Sequence, residues 1–142
     1  MIDIEDIGRK QMRGSAVCYL KAKDGKFIVD ENGDKCGIEL YNLDSKHGLM
    51  AQLAQSRAFA ALEEKLKGIE SQEEKNVETK IHNDSITKET VMMMFKSSVN
   101  LSIGGKPVDE SNIEEFLNRL QWHNVRQLMD FIADAESWAG KP

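Results

Sequence analysis

The chain has few aromatic residues, few cysteines and no excess of basic charge. Aromatic residues make up 6% of its 142 residues, and hydrophobic residues make up 40%. We therefore expect a core built mainly from aliphatic side chains and methionine, in one domain or in one domain with a mobile segment. The formal net charge is −5. Because phosphate binding needs a basic field, this charge argues against a nucleic-acid-binding protein.

The sequence also lacks a long apolar run and a secretory signal. No stretch reaches the roughly 20 apolar residues that a membrane-spanning helix needs. Residues 1–6 are acidic, whereas a secretory signal begins with basic residues that are followed by apolar ones. A protein without such a signal keeps its thiols reduced, so we expect Cys18 and Cys36 to be free, with a disulfide as the alternative. The sequence thus predicts a cytoplasmic protein without a membrane segment.

No motif for catalysis, metal binding or cofactor binding stands out. His47, His82 and His123 are not at metal-ligand spacing from one another or from a cysteine. Residues 30–41 begin like a calcium loop, but lysine replaces the glycine of its sixth position and tyrosine the glutamate of its twelfth. Residues 104–106 lack the other residues of a phosphate-binding loop. We therefore predict no enzyme activity, no cofactor and no metal.

Two turn signals shape the amino-terminal part of the chain. The dipeptides Asp24-Gly25 and Asn32-Gly33 favour tight hairpins, and they divide residues 15–43 into three β-compatible stretches. The middle stretch is 27–29 and the last is 38–43, in which apolar and polar residues alternate. The pattern predicts a three-stranded antiparallel meander.

Helical patterns flank this meander. Residues 2–12 begin acidic and end basic, which suits a short helix. A longer helix is predicted from a cap at Asp44 or Ser45 to about Lys67, with Gly68 as its carboxyl-terminal cap. Its apolar stripe, which we expect to face the core, consists of Leu49, Leu53, Ala54, Ala58, Leu62 and Leu66.

The carboxyl-terminal half begins with a polar stretch, residues 69–84, which is predicted to be a linker or an exposed, fraying helical extension. A further helix is predicted from 85–87 to the glycines at 104–105, and two amphipathic helices at 113–120 and 123–138 follow.

These elements predict an α+β fold, in which a short amino-terminal antiparallel β-meander is followed by a mainly α-helical body. The predicted regions are 1–68, the polar stretch 69–84 and 85–142, all within one compact domain.

The candidate binding residues are apolar positions of the carboxyl-terminal half. Three adjacent methionines on a helix point in three directions, so they form either a fully buried central helix or a partly exposed binding surface. Tryptophan is enriched at binding hot spots, which makes the last tryptophan a core residue or a partner anchor. The predicted partner-binding residues are Met92, Met93, Met94, Phe95, Leu128, Phe131 and Trp138.

Two segments of the chain resemble a known family. The first segment consists of residues 37–45, which end in an Asp-Ser helix cap, and of Gln-Ser-Arg at 55–57 in the helix that follows. The family usually has asparagine at the position of Ser56. The second segment has three parts: a turn of small residues with a proline at 100–108, Glu-Ser-Asn-Ile at 110–113, and Phe-Ile-Ala-Asp at 131–134. In these motifs, which extend over about half of the chain, the sequence is similar to the tail assembly chaperones of long-tailed bacteriophages.

The resemblance implies a non-enzymatic role in the cytoplasm of the host cell. Such chaperones bind the long helical tape-measure protein, keep it soluble and help to recruit tail-tube subunits, and they are absent from the finished virion. The resemblance therefore implies the tape-measure protein and the tail-tube protein as partners, together with weak self-association. The alternative function is that of a structural tail or head-tail connector subunit, which stays in the particle.

Overall fold

The structure, a computed structural model, describes Met1 and residues 14–134. The fold is α+β, as the sequence predicts. The helix predicted for residues 2–12 lies outside the described residues. In chain order the elements are β1 (Ser15–Tyr19), β2 (Gly37–Tyr41), α1 (Lys46–Leu66), α2 (Gln72–Met94), β3 (Phe95–Val99), β4 (Ser102–Ile103), β5 (Lys106–Pro107), α3 (Ile113–Arg119) and α4 (Trp122–Ala133).

The main sheet is antiparallel and has the strand order β1-β2-β3. Cys18 of β1 lies opposite Ile38 of β2, which in turn lies opposite Ser98 of β3. A register shift between Glu39 and Leu40 places Leu40 opposite Phe95. Such a bulge bends the strand, and it lets both apolar side chains reach the core.

The third strand of this sheet comes from a different part of the chain than the sequence predicts. Both predicted turns are present, and their glycines have positive φ, 84° at Gly25 and 82° at Gly33. The stretch between them, 27–29, lies at the surface and forms only isolated bridges, Lys21 with Phe27 and Val29 with Lys35. The strand β3 is the third strand of the sheet instead, and its Phe95 side chain is buried in the core.

Helix α1 begins where the sequence predicts. The Ser45 hydroxyl accepts a hydrogen bond from the Gly48 backbone N–H at 3.1 Å and caps the helix. A Cβ at Gly48 would lie 2.0 Å from the Leu43 carbonyl oxygen, so a side chain has no room at this position. Helix α1 ends at Leu66 with Lys67 as its cap.

Helix α2 differs from the prediction at both ends. It begins at Gln72, before the start at 85–87 that the sequence predicts, so the helical alternative for residues 69–84 is the one present. Ser71 caps the helix by accepting from the Glu74 backbone N–H at 3.3 Å. It ends at Met94, where the sequence predicts a helix that continues towards residue 104. The chain beyond it forms β3 and then the β4–β5 hairpin, whose turn has positive φ at both Gly104 and Gly105. Two consecutive positive φ angles are typical of the tight turn of a β-hairpin.

The core lies between one face of the sheet and helices α2, α3 and α4. The two carboxyl-terminal helices are amphipathic, as the sequence predicts. Their buried residues are Ile113, Phe116 and Leu117 on α3 and Val125, Leu128 and Ile132 on α4.

Polar side chains of α4 also join it to the end of β1. The Gln127 amide donates to the Tyr19 carbonyl at 2.8 Å and accepts from the Lys21 backbone N–H at 3.1 Å. The buried Asn124 amide donates to the Lys21 carbonyl at 2.8 Å. These bonds satisfy backbone groups at the sheet edge that would otherwise lack partners.

Candidate functional site

The predicted binding residues are largely parts of the core. Met94, Phe95 and Leu128 are buried, and they have no surface to offer to a partner while the fold is closed. Met92, Met93 and Phe131 are half-buried and pack against the same core. Trp138 lies outside the described residues. The methionine run is thus closer to the buried alternative, and it leaves little apolar surface for binding.

Exposed apolar surface lies on helix α1 instead. Leu49, Met50 and Leu53 are 58%, 51% and 60% exposed, and we call these three residues the α1 patch. Helical spacing places Leu49 and Leu53 one above the other. Exposed apolar side chains that cluster on one helix face form a candidate surface for binding a partner.

The α1 patch is exposed because a different face of α1 packs against α2. That inner face carries small side chains, Ala54 and Ala58 among them, and the Gln55 amide donates to the Thr90 hydroxyl at 2.9 Å. Small residues let two helix backbones approach closely. The predicted apolar stripe is therefore correct for its alanines and for the buried Leu62, but Leu49 and Leu53 face away from the core.

Two cations border the α1 patch. Lys46 precedes Leu49 by one helical turn and Arg57 follows Leu53 by one turn, so both belong to the same face. Both residues are exposed, and neither forms an ion pair with any of the residues that the structure describes.

A second exposed apolar surface lies on the first half of α2. Val77 and Ile81 are 54% and 58% exposed and stand four residues apart; we call them the α2 patch. The acidic residues Glu73 and Glu74 lie one turn before Val77, and they too are without an ion-pair partner in the described part of the chain. A groove of about 420 Å³ runs beside Glu74 and Val77.

Sequence reasoning missed both patches. The leucines of α1 were assigned to the core because they share a stripe with alanines, and the α2 residues fell within a stretch that was taken as polar. The available signal was that α1 carries more apolar residues than one face can hold.

The outer face of the sheet carries a polar network around Glu39. The Ser15 hydroxyl donates to Glu39 Oε2 at 2.6 Å, and the Ser97 hydroxyl donates to Oε1 at 2.7 Å. Lys96 Nζ lies 3.7 Å from Oε2. The hydrogen bond from Ser15, then that from Ser97, hold the pKa of Glu39 below its ordinary value. Because both hydroxyls donate to a stable carboxylate, the network joins three strands and does not activate a nucleophile.

The two thiols are buried, free and poorly reactive. Burial raises the pKa of Cys18 from 9.0 to about 12. Burial also raises the pKa of Cys36. Because the thiolate is the reactive form, neither side chain is suited to nucleophilic or redox chemistry.

Residues 14–134 contain no group of three histidine, cysteine, aspartate or glutamate side chains that could hold a metal ion. No helix among them has the length and apolar character needed to cross a bilayer. A pocket of about 560 Å³, open to solvent, lies between β3 and residues 107–111.

Comparison of the chain with protein-family models, with curated proteins and with solved structures found no match. The sequence motifs and the two exposed apolar patches are therefore the features that indicate a function.

Proposed function

We propose that the protein is a phage tail assembly chaperone that binds the tape-measure protein through the exposed face of α1. The observation that carries this proposal is the α1 patch, in which Leu49, Met50 and Leu53 are each more than half exposed. The motifs at 37–45 and 55–57 that resemble the chaperone family border or contribute to this same helix.

The surface suits a helical client. An amphipathic client helix presents apolar side chains three or four residues apart, and such a helix can lie along Leu49 and Leu53. Covering these side chains removes apolar area from water on both partners, which favours binding. Lys46 and Arg57 would orient acidic residues at the edges of that client helix.

This binding mode requires no chemical step. The chaperone covers apolar client surface in the host cytoplasm until the tail tube encloses the client, and tail-tube subunits then join the complex. The chaperone leaves during assembly and is missing from the virion. A structural tail subunit would bind through similar surfaces but would stay in the particle.

The test is coexpression with the tape-measure protein encoded in the same phage genome, followed by affinity capture. We expect the wild-type chain to capture a soluble tape-measure protein and the double variant Leu49→Asp, Leu53→Asp to lose it. Val29→Asp is the matched control, because Val29 is 51% exposed but lies in the loop between β1 and β2. Circular dichroism confirms that each variant is folded.

Capture by a folded Leu49→Asp, Leu53→Asp variant at the wild-type level would overturn the assignment of this face. A second outcome would support the alternative function. If the wild-type chain captures no tape-measure protein, and mass spectrometry of purified virions finds this chain in amounts comparable to other tail proteins, the chain is a structural subunit.

A further inference from the structure

The free edge of strand β3 borders an open groove, the pocket between this strand and residues 107–111. We propose that an extended, basic segment of a partner chain binds in this groove and adds a fourth strand beside β3. The contact needs only residues 95–111 of this chain, and it does not depend on the proposed function.

Strand β3 has a neighbour on one side only, because the strand order of the sheet is β1-β2-β3. In an antiparallel sheet the N–H and C=O groups of alternate residues point to opposite sides of the strand, so half of those in β3 point away from β2. No described segment other than β2 hydrogen-bonds to the backbone of residues 96–99. Such a row of free groups is a template for a further strand.

The opposite edge of the sheet, formed by β1, is partly covered. Gln127 of α4 donates to the Tyr19 carbonyl at 2.8 Å and accepts from the Lys21 backbone N–H at 3.1 Å. The edge of β3 has no such cover among the described residues, so a further strand is better placed beside β3.

The groove has a volume of about 560 Å³ and an apolar floor. Phe95 and Val108, which line it from its two sides, are buried in the core and expose only a small part of their side chains. Because the side chains of an extended segment alternate between two faces, every second side chain of the occupant can lie over this floor.

The wall opposite β3 is held in place by hydrogen bonds. The Ser98 hydroxyl donates to the Val108 carbonyl at 2.6 Å. The Asn112 amide donates to the Pro107 carbonyl at 3.0 Å and accepts from the Asp109 backbone N–H at 2.8 Å. A groove that is already formed loses little conformational entropy when a segment enters it, which favours binding.

The free charges of the groove are negative. Asp109 and Glu110 are exposed, and neither forms an ion pair with a described residue. The Ser111 hydroxyl and then its backbone N–H hold the pKa of Asp109 below the ordinary value, so this side chain is a carboxylate at neutral pH. The lysine of the groove, Lys96, lies 3.7 Å from Glu39 on the outer face of the sheet. An occupant with lysine or arginine is therefore selected over an acidic one.

These features together define the occupant. Backbone hydrogen bonds to β3 require an extended segment, the apolar floor favours β-branched residues at alternate positions, and the two carboxylates favour basic residues between them.

A titration of the ¹⁵N-labelled protein with a peptide, followed by NMR, tests the contact. The probe is a blocked hexapeptide, Lys-Val-Lys-Val-Lys-Val. One control peptide has glutamate in place of lysine. The other keeps the lysines but has every backbone nitrogen methylated, so it carries the same charge and cannot donate to β3. We expect the probe to shift the amide signals of 95–98 and 107–111, and both control peptides to leave them unchanged.

A charge reversal on the protein tests the acidic rim. Glu110→Lys should weaken binding of the probe about fivefold, which corresponds to the loss of an exposed ionic contact. Glu70→Lys is the matched control, because it makes the same change of charge at an exposed position between α1 and α2, and it should bind the probe like the wild type. Both positions are exposed, so the fold tolerates the changes.

Three results would overturn the proposal: a probe that shifts no signals of the groove at millimolar concentration, a methylated peptide that binds as well as the probe, or a Glu110→Lys variant that binds the probe like the wild type. The NMR spectrum of each variant without peptide shows whether it is folded.

Discussion

Individual side chains divide this protein into a closed core and an open helix surface. Met94 is fully buried under the sheet, whereas Leu53, on the helix beside it, is 60% exposed. Apolar side chains therefore either fill the core or form an exposed binding surface, and the exposure of each side chain, not the composition, shows which role it has.

We predict that truncation to alanine lowers stability at a core position and not at a position of the α1 patch. Met94→Ala removes buried methylene groups and leaves a cavity, so it should lower the free energy of unfolding by about 2–5 kcal/mol. Leu53→Ala should change the free energy of unfolding by less than about 0.5 kcal/mol, because its side chain already faces water. Urea unfolding of the dilute, monomeric proteins measures both. Equal losses of stability in the two variants would contradict the burial that separates core from patch.

A second prediction at the residue scale concerns pH. The pKa of Glu39 is lowered in the folded state, chiefly by the Ser15 and Ser97 hydroxyls. Its contribution to stability is therefore present above the ordinary glutamate pKa of 4.5 and is lost as the pH falls through the lowered value. Glu39→Gln should be less stable than the wild type at pH 7, and the difference should shrink in acid.

Urea unfolding at pH 7 and at pH 3 measures this difference. Glu63→Gln, at an exposed position of α1, is the control and should leave the pH dependence as it is in the wild type. A stability difference between Glu39→Gln and the wild type that stays constant with pH would show that the carboxylate charge is irrelevant to the network.

At the scale of elements, local signals located some boundaries and missed others. The Ser45 cap and the amphipathic patterns of α3 and α4 were sufficient because each depends on residues within a few turns. The start of α2 was missed because its first turns are polar and their support comes from α1, through contacts such as Lys65 with Glu78. The strand β3 is not predicted because the residues with which it pairs, those of β2, are more than 50 positions away in the sequence, so local patterns do not indicate the pairing.

The candidate surface was missed for a related reason. Helix α1 has two apolar stripes, one rich in leucine and one rich in alanine, and hydrophobic periodicity cannot decide which of them faces the core. The face with Ala54 and Ala58 packs against α2 because small side chains allow the two helices to approach closely, and Leu62, one turn after Ala58, is buried as well. Leu49 and Leu53 remain exposed.

The first turn of α1 leads to a prediction of its own. It contains Lys46 and no acidic residue, although the positive end of a helix dipole favours a negative charge. Lys46→Glu should therefore raise the free energy of unfolding by about 0.3–1 kcal/mol.

Thermal unfolding measures this effect. Lys67→Glu is the opposite control: it places an acidic side chain at the carboxyl-terminal cap of α1 and removes the contact of Lys67 Nζ with Glu64 at 3.1 Å. It should lower stability. A Lys46→Glu variant that is no more stable than the wild type would contradict this effect of the helix dipole.

At the scale of the whole molecule, the proposed function gives the α1 patch one occupant, the tape-measure protein. Titration of a helical tape-measure segment should therefore raise the weight-average mass to that of one chain with one segment. Binding of the segment by a folded Leu49→Asp, Leu53→Asp variant would place the client on another face.

The helix pair α1–α2 is inserted between two neighbouring strands, β2 and β3. On the ribosome, β1 and β2 emerge long before β3, and two strands alone are only marginally stable in water. The sheet and its core therefore close late in synthesis. The connection at 68–71 joins halves that share one sheet, so fragments cut there should be unfolded apart and should complement each other when mixed. The protein could in this way serve as a split reporter of two molecules meeting.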